Sequence, residues 1–482
     1  MGPWTGNERV QLSTMRHLRN IIAIGTVLGA LAAAPFAHAA TQYHVLGHGW
    51  GHGIGMSQYG AKGFAERGTS HTDIIKHYYS GSTVSDSNGV PAAARTLDVL
   101  LQDGMANAAF QVDGSGVTVT RGSTKKTTAN GDIITAKVES GNVAIYRKRG
   151  SDTTRLFAAG TSAVRISGGD GKIQTRFTAD NGFYGHHYRG SISLRDAGSS
   201  IMVLNTVGME SYLRSVVPDE MPQSWHAQAL RAQAIAARSY AVATRKTGTY
   251  DAFCDTRSQM YGGIEHEEGA SDSAVTGTSG KVARHSGAVI PTFFHSTSGG
   301  RTAAIEDVWG SAPRPYLKSV SDPYEKSPRS NWTVKYSATA FERKWGGVPG
   351  SLRSVAVSLN ASKRASRVSA NGSGGSESIS GPGFQQRFGL WSTYFRIEKL
   401  ALNANKYTVA RGGSVKLTGV SPRSGTTKLF YRNSGASTWV DAGALTISST
   451  GTFARTVKVS NARTYMIKRG SRTGPAINIR LS

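Results

Sequence analysis

The chain has 482 residues, enough for two or three domains, and its 38% hydrophobic content supplies material for their cores. Lys and Arg total 56 against 30 Asp and Glu; the net charge of +26 favours polyanions, of which nucleic acid is one and anionic cell-wall polymer another. The only cysteine is Cys254, which excludes an internal disulfide, so stability rests on cores alone.

At the N-terminus, Arg16 and Arg19 precede an apolar run from Ile21 to Ala34, and Ala37-His38-Ala39 supplies a small-x-small cleavage pattern. This predicts a secretory signal starting at Met15 and cleaved near Ala39 or Ala40, so residues 1–39 form the signal region. The apolar run is short for a membrane span, and no later stretch reads as transmembrane. An exported protein at the cell wall turns the positive charge toward anionic wall polymer rather than nucleic acid.

Next comes Gly47-His48-Gly49-Trp50-Gly51-His52-Gly53-Ile54-Gly55-Met56-Ser57-Gln58-Tyr59-Gly60-Ala61. Alternating glycines let the backbone approach a ligand closely, and the residues between them are of the kinds that bind, stack or move protons. A phosphate loop fails because Ala61 stands where Lys is required, and a dinucleotide fingerprint fails for want of a following βαβ unit. His48 and His52 lack an adjacent acidic or Cys partner, so no metal is expected on them.

Short helices are predicted at Ala61–Arg67 and Thr72–Tyr79, the second capped by Thr72, followed by a linker over 82–94. From 96 to 205 short alternating runs predict a β region: Leu97–Leu101, Gly116–Thr120, Ile133–Val138, Val143–Tyr146, Ile192–Leu194 and Ile201–Leu204. Met209–Val217 reads as a helix halted by Pro218, and Ser224 as the cap of a longer, alanine-faced helix reaching about Arg245. Gly287–Phe294 reads as a buried strand. Residues 351–383 read as hairpins, a plain linker being the other reading. Period-2 runs from Glu398 to Ser482 predict a β-sandwich, and this section carries 14 Lys and Arg against 2 acidic residues.

Glu220 lies between Pro218 and Pro222 among Val216, Val217 and Met221. A carboxyl held in such a partly dry place has its pKa raised and can donate a proton near neutral pH. The bland alternative is an ordinary Glu beside the first turn of the next helix. His295-Ser296-Thr297-Ser298-Gly299-Gly300 ends an apolar strand in hydroxyls and glycines, as at the mouth of a cleft or in a turn that caps the strand. Cys254 reads as a small buried hydrophobe rather than a nucleophile.

Taken together, four motifs resemble the SpoIID/LytB family: the glycine run; Pro218-Asp219-Glu220-Met221-Pro222 with Leu230-Arg231-Ala232-Gln233-Ala234-Ile235-Ala236-Ala237-Arg238-Ser239-Tyr240; Phe294-His295-Ser296-Thr297-Ser298-Gly299-Gly300; and Phe388-Gly389-Leu390-Trp391-Ser392-Thr393-Tyr394-Phe395. The resemblance spans about Thr41 to Ile397. It implies an α+β fold of mixed strands and short helices over 40–397, with the glycine motif at 47–61, a β-rich part at 96–205, a catalytic helical part at 206–300 and a closing part at 301–397. A small, basic, all-β sandwich-like wall-binding domain follows at 398–482.

The resemblance also implies activity on peptidoglycan, either as a lytic transglycosylase that cuts MurNAc-GlcNAc strands stripped of peptide or as a non-catalytic amidase enhancer. Carried onto this chain, it implies Glu220 as the catalytic acid/base, with Ser57, Gln58, Tyr59, His295, Ser296 and Ser298 lining the substrate cleft; His48, Trp50 and His52 of the glycine run are expected to bind substrate beside them. The partners it implies are glycan strands and a cell-wall amidase, and the place is the cell wall or beyond. In the family arrangement the glycine motif follows the other blocks; here it leads. Some sporulation members bind zinc near the Cys-Asp-Thr segment through a second cysteine. Here Ser258 and Gln259 follow Cys254-Asp255-Thr256-Arg257 and no other Cys exists, so neither metal nor cofactor is expected.

Overall fold

The computed structural model describes residues 40–168 and 172–482; the expected signal segment, 1–39, lies outside the described residues. The chain divides into two compact units, one built from 54–296 with 313–326, the other from 40–53, 297–312 and 327–482. Strands, short helices and a β-rich C-terminal section make the fold α+β, as expected.

In the first unit, two antiparallel β layers share one core. The strands Thr96–Met105, Ile201–Gly208, Ser191–Asp196, Val164–Gly168 and Val117–Arg121 are consecutive in a seven-stranded sheet. Asn142–Arg149, Ile133–Glu139 and Asn107–Val112 belong to a six-stranded one. Alternation drives this arrangement: Val99, Leu101, Phe110, Ile134, Ile145, Ile166, Ile192 and Val203 all point inward and are buried together. The β region also contains strands beyond the expected runs, at Asn107–Val112, Asp152–Gly160 and Val164–Gly168; the first and third alternate buried and exposed positions, whereas the second is mostly polar and exposed.

The helical part comprises α1 (Gln58–Ala65), α2 (His71–Tyr78), α3 (Met209–Glu220), α4 (Ala227–Ala243) and α5 (Gly269–Gly277). Helix α4 packs against the other four. Its run of small side chains permits this, since Ala229, Ala232, Ala234, Ala236 and Ala237 are all fully buried. Arg238, also buried, holds α3 to α4 through Glu210, with Nε to Oε1 at 2.9 Å and Nη2 to Oε2 at 2.6 Å.

Several expected boundaries move. The cap of α2 is Ser70 rather than Thr72: its Oγ accepts from the Asp73 N–H and donates to the Asp73 carboxylate. His226, not Ser224, caps α4, its ring nitrogen accepting from the Gln228 N–H. Helix α3 continues through Pro218 to Glu220. A proline this near the end forfeits one ladder bond, and the helix still closes with the Met221 N–H on the Val217 carbonyl at 2.9 Å. The expected linker at 82–94 contains a strand, Thr83–Val84, which pairs with Ala283–His285. Gly287–Phe294 is broken into Ala288–Val289 and a strand that begins at Phe294; between them Thr292 donates to the Ala236 carbonyl at 2.6 Å.

The second unit holds α6 (Ile305–Trp309), α7 (Ala338–Trp345) and α8 (Gly381–Phe388). Residues 351–383 form the hairpin reading, with Leu352–Leu359, Ala365–Gly372 and Ser376–Ser380 in one antiparallel sheet. A five-stranded sheet runs Trp332–Ser337, Ala40–Gly47, Phe395–Ala404, Gly413–Val420, Thr452–Val459. Here the strand entering the glycine motif lies antiparallel to the strand leaving the closing motif, Gly47 opposite Phe395 and Ala40 opposite Leu402. Its last three strands share a core with a second sheet, built from Thr408–Val409, Arg472–Leu481, Arg463–Arg469, Thr427–Asn433 and Val440–Ala444.

Candidate active site

The site of the first unit is built at the C-terminal end of α3. Glu220 is the last residue of that helix, half-buried, and its Oε2 accepts a hydrogen bond from Gln58 Nε2 at 3.0 Å. Burial pushes the Glu220 carboxyl from its ordinary 4.5 up to about 7; the Gln58 amide opposes this and the neighbouring Asp219 charge adds to it. Tyr212 and Tyr240 stand close enough for the Glu220 charge to raise their own pKa values, after burial as the main cause. A carboxyl so placed exchanges its proton near neutral pH.

Gln58 opens α1, and the glycine motif explains how it arrives there. Ser57 Oγ caps the helix by accepting from the Gly60 N–H at 3.1 Å, and the same hydroxyl lies 3.4 Å from Glu325 Oε2. A Cβ at Gly60 would fall 2.0 Å from the Tyr78 hydroxyl and 2.3 Å from the Asp322 carboxylate. Gly55, at φ +71°, leaves room for the Phe293 carbonyl where a Cβ would sit 2.0 Å away. Met56–Ser57 and Phe294–His295 run as a two-stranded parallel pair, Ser57 opposite His295, and the Tyr59 N–H continues the ladder to the Ser296 carbonyl at 3.1 Å. His295 is buried, with Nδ1 3.2 Å from the Ile54 carbonyl. The first unit thus gathers Glu220, Ser57, Gln58, Tyr59, His295 and Ser296 of the expected residues.

His48, Trp50, His52 and Ser298 belong to the second unit. There Trp50 and Thr297 exchange backbone hydrogen bonds of 2.8 and 3.0 Å. His48 has its ring 5.0 Å from Tyr394, and the His52 ring lies 5.3 Å from Trp309. Ser298 Oγ accepts from the Gly300 N–H at 3.0 Å.

Two groups at the site went unnoticed in the sequence. Trp225 stacks edge-on against Tyr59 with ring centroids 4.8 Å apart, and Lys62 Nζ sits 5.4 Å from its ring centre. Both rings are half-exposed, an aromatic surface beside the Gln58–Glu220 contact. The available signal was a Trp five residues beyond Glu220, past the second proline. Asp219 pairs with His266 (Oδ1 to Nδ1 2.5 Å), and the His266 ring packs on Phe183 and His186. Burial raises the Asp219 pKa, and His266 opposes the rise. No sequence spacing links positions 219 and 266.

Cys254 is buried in the core, and burial pushes its thiol up to about 12, an inert neutral group at physiological pH. Among the described residues no cluster of three or more His, Cys, Asp or Glu is placed to hold a metal ion, and no helix is long and apolar enough to cross a membrane.

The half-buried acid that closes α3 and the alanine-packed α4 behind it lie in or beside the segment that known proteins share: residues 197–285 match the SpoIID family, described as stage II sporulation protein. Among its relatives, the amidase enhancer of Bacillus subtilis (strain 168) is 39% identical over 133 residues, 27% of this chain and 18% of that protein. Stage II sporulation protein D of the same organism is 31% identical over 184 residues, 33% of this chain and 53% of the relative. Its Bacillus amyloliquefaciens counterpart is 34% identical over 183 residues, 32% and 52% of the two chains. The chain therefore spans about half the length of the sporulation relatives and less of the amidase enhancer.

Proposed function

We propose that this protein is an exported lytic transglycosylase that cleaves peptide-stripped MurNAc-GlcNAc strands of peptidoglycan, with Glu220 as its acid and then its base. The observation that carries the reading is the half-buried Glu220 carboxyl, poised at about 7 and oriented by Gln58. Protonated Glu220 gives its proton to the glycosidic oxygen, and the C1–O bond breaks as the leaving sugar takes that oxygen. Positive charge at C1 is met by the substrate's own acetamido group, one of the exceptions to the two-carboxylate scheme. Glu220, now ionised, takes the proton of the muramoyl C6 hydroxyl as O6 bonds to C1 and closes a 1,6-anhydro ring. The acid form is regenerated, so one carboxyl suffices and no cofactor enters. Tyr59 and Trp225 offer ring faces on which sugars stack.

In the same reading, residues 1–39 are the export signal, the SpoIID/LytB-like part runs over 40–397, and 398–482 attaches the protein to the wall. The test is incubation of the processed protein and its Glu220→Gln variant with amidase-stripped peptidoglycan, with mass spectrometry of the products. Anhydromuramoyl fragments from the parent alone support the reading. Equal release by the variant removes Glu220 from the chemistry. The identity shared with an amidase enhancer favours one second reading: no fragments from either protein, with a partner amidase accelerated equally by both, would establish that a binding cleft rather than a catalyst is present.

A further inference from the structure

The C-terminal sandwich has two outward faces, and they differ in chemistry. On the sheet holding Gly413–Val420 and Thr452–Val459, the exposed cations are Lys416 and Lys458, with Ser414, Ala454 and Thr456 around them. On the other sheet, alternation along Thr427–Asn433 sends Leu429 into the core and Lys428, Phe430 and Arg432 outward. Phe430 lies opposite Met466, Lys428 opposite Lys468, and Arg432 opposite Thr464. The next strand adds Asn478 and Arg480, both exposed.

Cations and rings interleave on this second face. Arg432 lies 5.0 Å from the Trp439 ring centre and Lys468 Nζ 4.8 Å from that of Phe430. Asp441 is the only acidic residue there, and Lys428 claims it at 2.8 Å. Arg432, Lys468 and Arg480 have no acidic partner among the described residues. Lys428 and Lys468 also face each other directly across neighbouring strands, which costs stability and which a bound anion would relieve. Aromatic rings interleaved with unpaired cations suit a polymer that alternates rings with negative charge.

We propose that this face binds a phosphodiester-linked, sugar-bearing wall polymer, with its phosphates on Arg432, Lys468 and Arg480 and its ring faces on Trp439 and Phe430. The cell-wall setting rests on the proposed function; the binding does not require that Glu220 be catalytic.

The experiment uses the whole processed chain and two triple variants with the same loss of charge. One is Arg432→Gln/Lys468→Gln/Arg480→Gln on the proposed face; the other is Lys406→Gln/Lys416→Gln/Lys458→Gln elsewhere in the sandwich. Each is sedimented with purified bacterial walls, before and after hydrofluoric acid strips the phosphodiester polymer, and each is first shown to melt like the parent. The expected result is roughly a tenfold or greater loss of wall binding for the first triple and much less for the second. Stripped walls should bind the parent as poorly as intact walls bind the first triple. Equal losses from both triples, or undiminished binding to stripped walls, overturn the proposal. So does duplex DNA that competes as well as the extracted polymer. Trp439→Ala, which leaves every charge in place, should weaken binding too; no effect would remove the ring contacts from the proposal. Cleavage of soluble stripped glycan by the first triple should match the parent, which keeps failure here separate from failure of the proposed chemistry.

Discussion

Glu220→Gln should make the protein more stable, and only above a certain pH. The folded state raises this carboxyl from 4.5 to about 7, chiefly by burial. A carboxyl that holds its proton more tightly when folded makes the native state bind more protons than the unfolded one, so stability falls as pH rises from the lower value to the higher. Below 4.5 both states are protonated and the effect vanishes; above 7 the penalty is fully present. At about 1.4 kcal/mol per pKa unit the ceiling is roughly 3 kcal/mol, and partial solvent access brings the expected figure to about 1–2 kcal/mol. Glutamine has the same shape, carries no charge at any pH, and can still accept from Gln58 through its amide oxygen. Calorimetric melts at pH 4 and pH 8 should show near-identical midpoints at the lower pH and a variant higher by about 3–6 °C at the upper. An equal difference at both pH values, or a variant less stable at pH 8, would refute the claim that Glu220 is ionised at a cost.

The two neighbours of Glu220 should move its titration in opposite directions. Gln58→Leu removes a donor to the charged form, so the Glu220 pKa rises; Asp219→Asn removes an adjacent negative charge, so it falls. Both are read from the carbon-13 carboxyl shift of labelled Glu220 against pH, and movement in the same direction would show that burial alone sets the value. Arg238→Ala should destabilise by about 1–3 kcal/mol because it empties a fully buried guanidinium site and leaves the Ala234, Val275 and Lys281 carbonyls without that donor, whereas a surface pair such as Lys428–Asp441 should cost less than about 1 kcal/mol; urea melts distinguish them. Trp225→Ala should weaken binding of stripped glycan while leaving the Glu220 titration in place, as measured by fluorescence and the same carboxyl signal.

What the sequence conveyed follows from the range of each interaction. The β region, the C-terminal sandwich strands and the two main helices were legible because hydrophobic alternation and helical periodicity are local properties. Boundaries were less so. Thr72 and Ser70 are both good caps, and only the Ser70–Asp73 exchange decides between them. Pro218 reads as a stop, yet it stands so near the helix end that little is lost by passing it. At the site, Glu220 could be singled out from its prolines and apolar neighbours. Its contact with Gln58 crosses 162 residues and has no local signature. The Asp219–His266 pair and the Tyr59–Trp225 contact are hidden for the same reason.

The site also explains why the helical part is packed as it is. A raised carboxyl costs native stability, and here α3 ends on one, with a second, Asp219, immediately beside it. Such strain survives only where the surroundings leave the chain no easier arrangement. Helix α4 supplies that rigidity through its buried alanines, and Arg238 fixes its register against α3 through two hydrogen bonds to Glu210. His266 supplies a local remedy by pairing with Asp219. Among the described residues Glu220 itself receives only the neutral Gln58 amide. A Lys or Arg in the place of Gln58 would have stabilised the ionised form and driven the pKa down, abolishing the proton at neutral pH. The neutral amide orients the carboxyl while leaving its proton in place, which is what the proposed acid-then-base role would require.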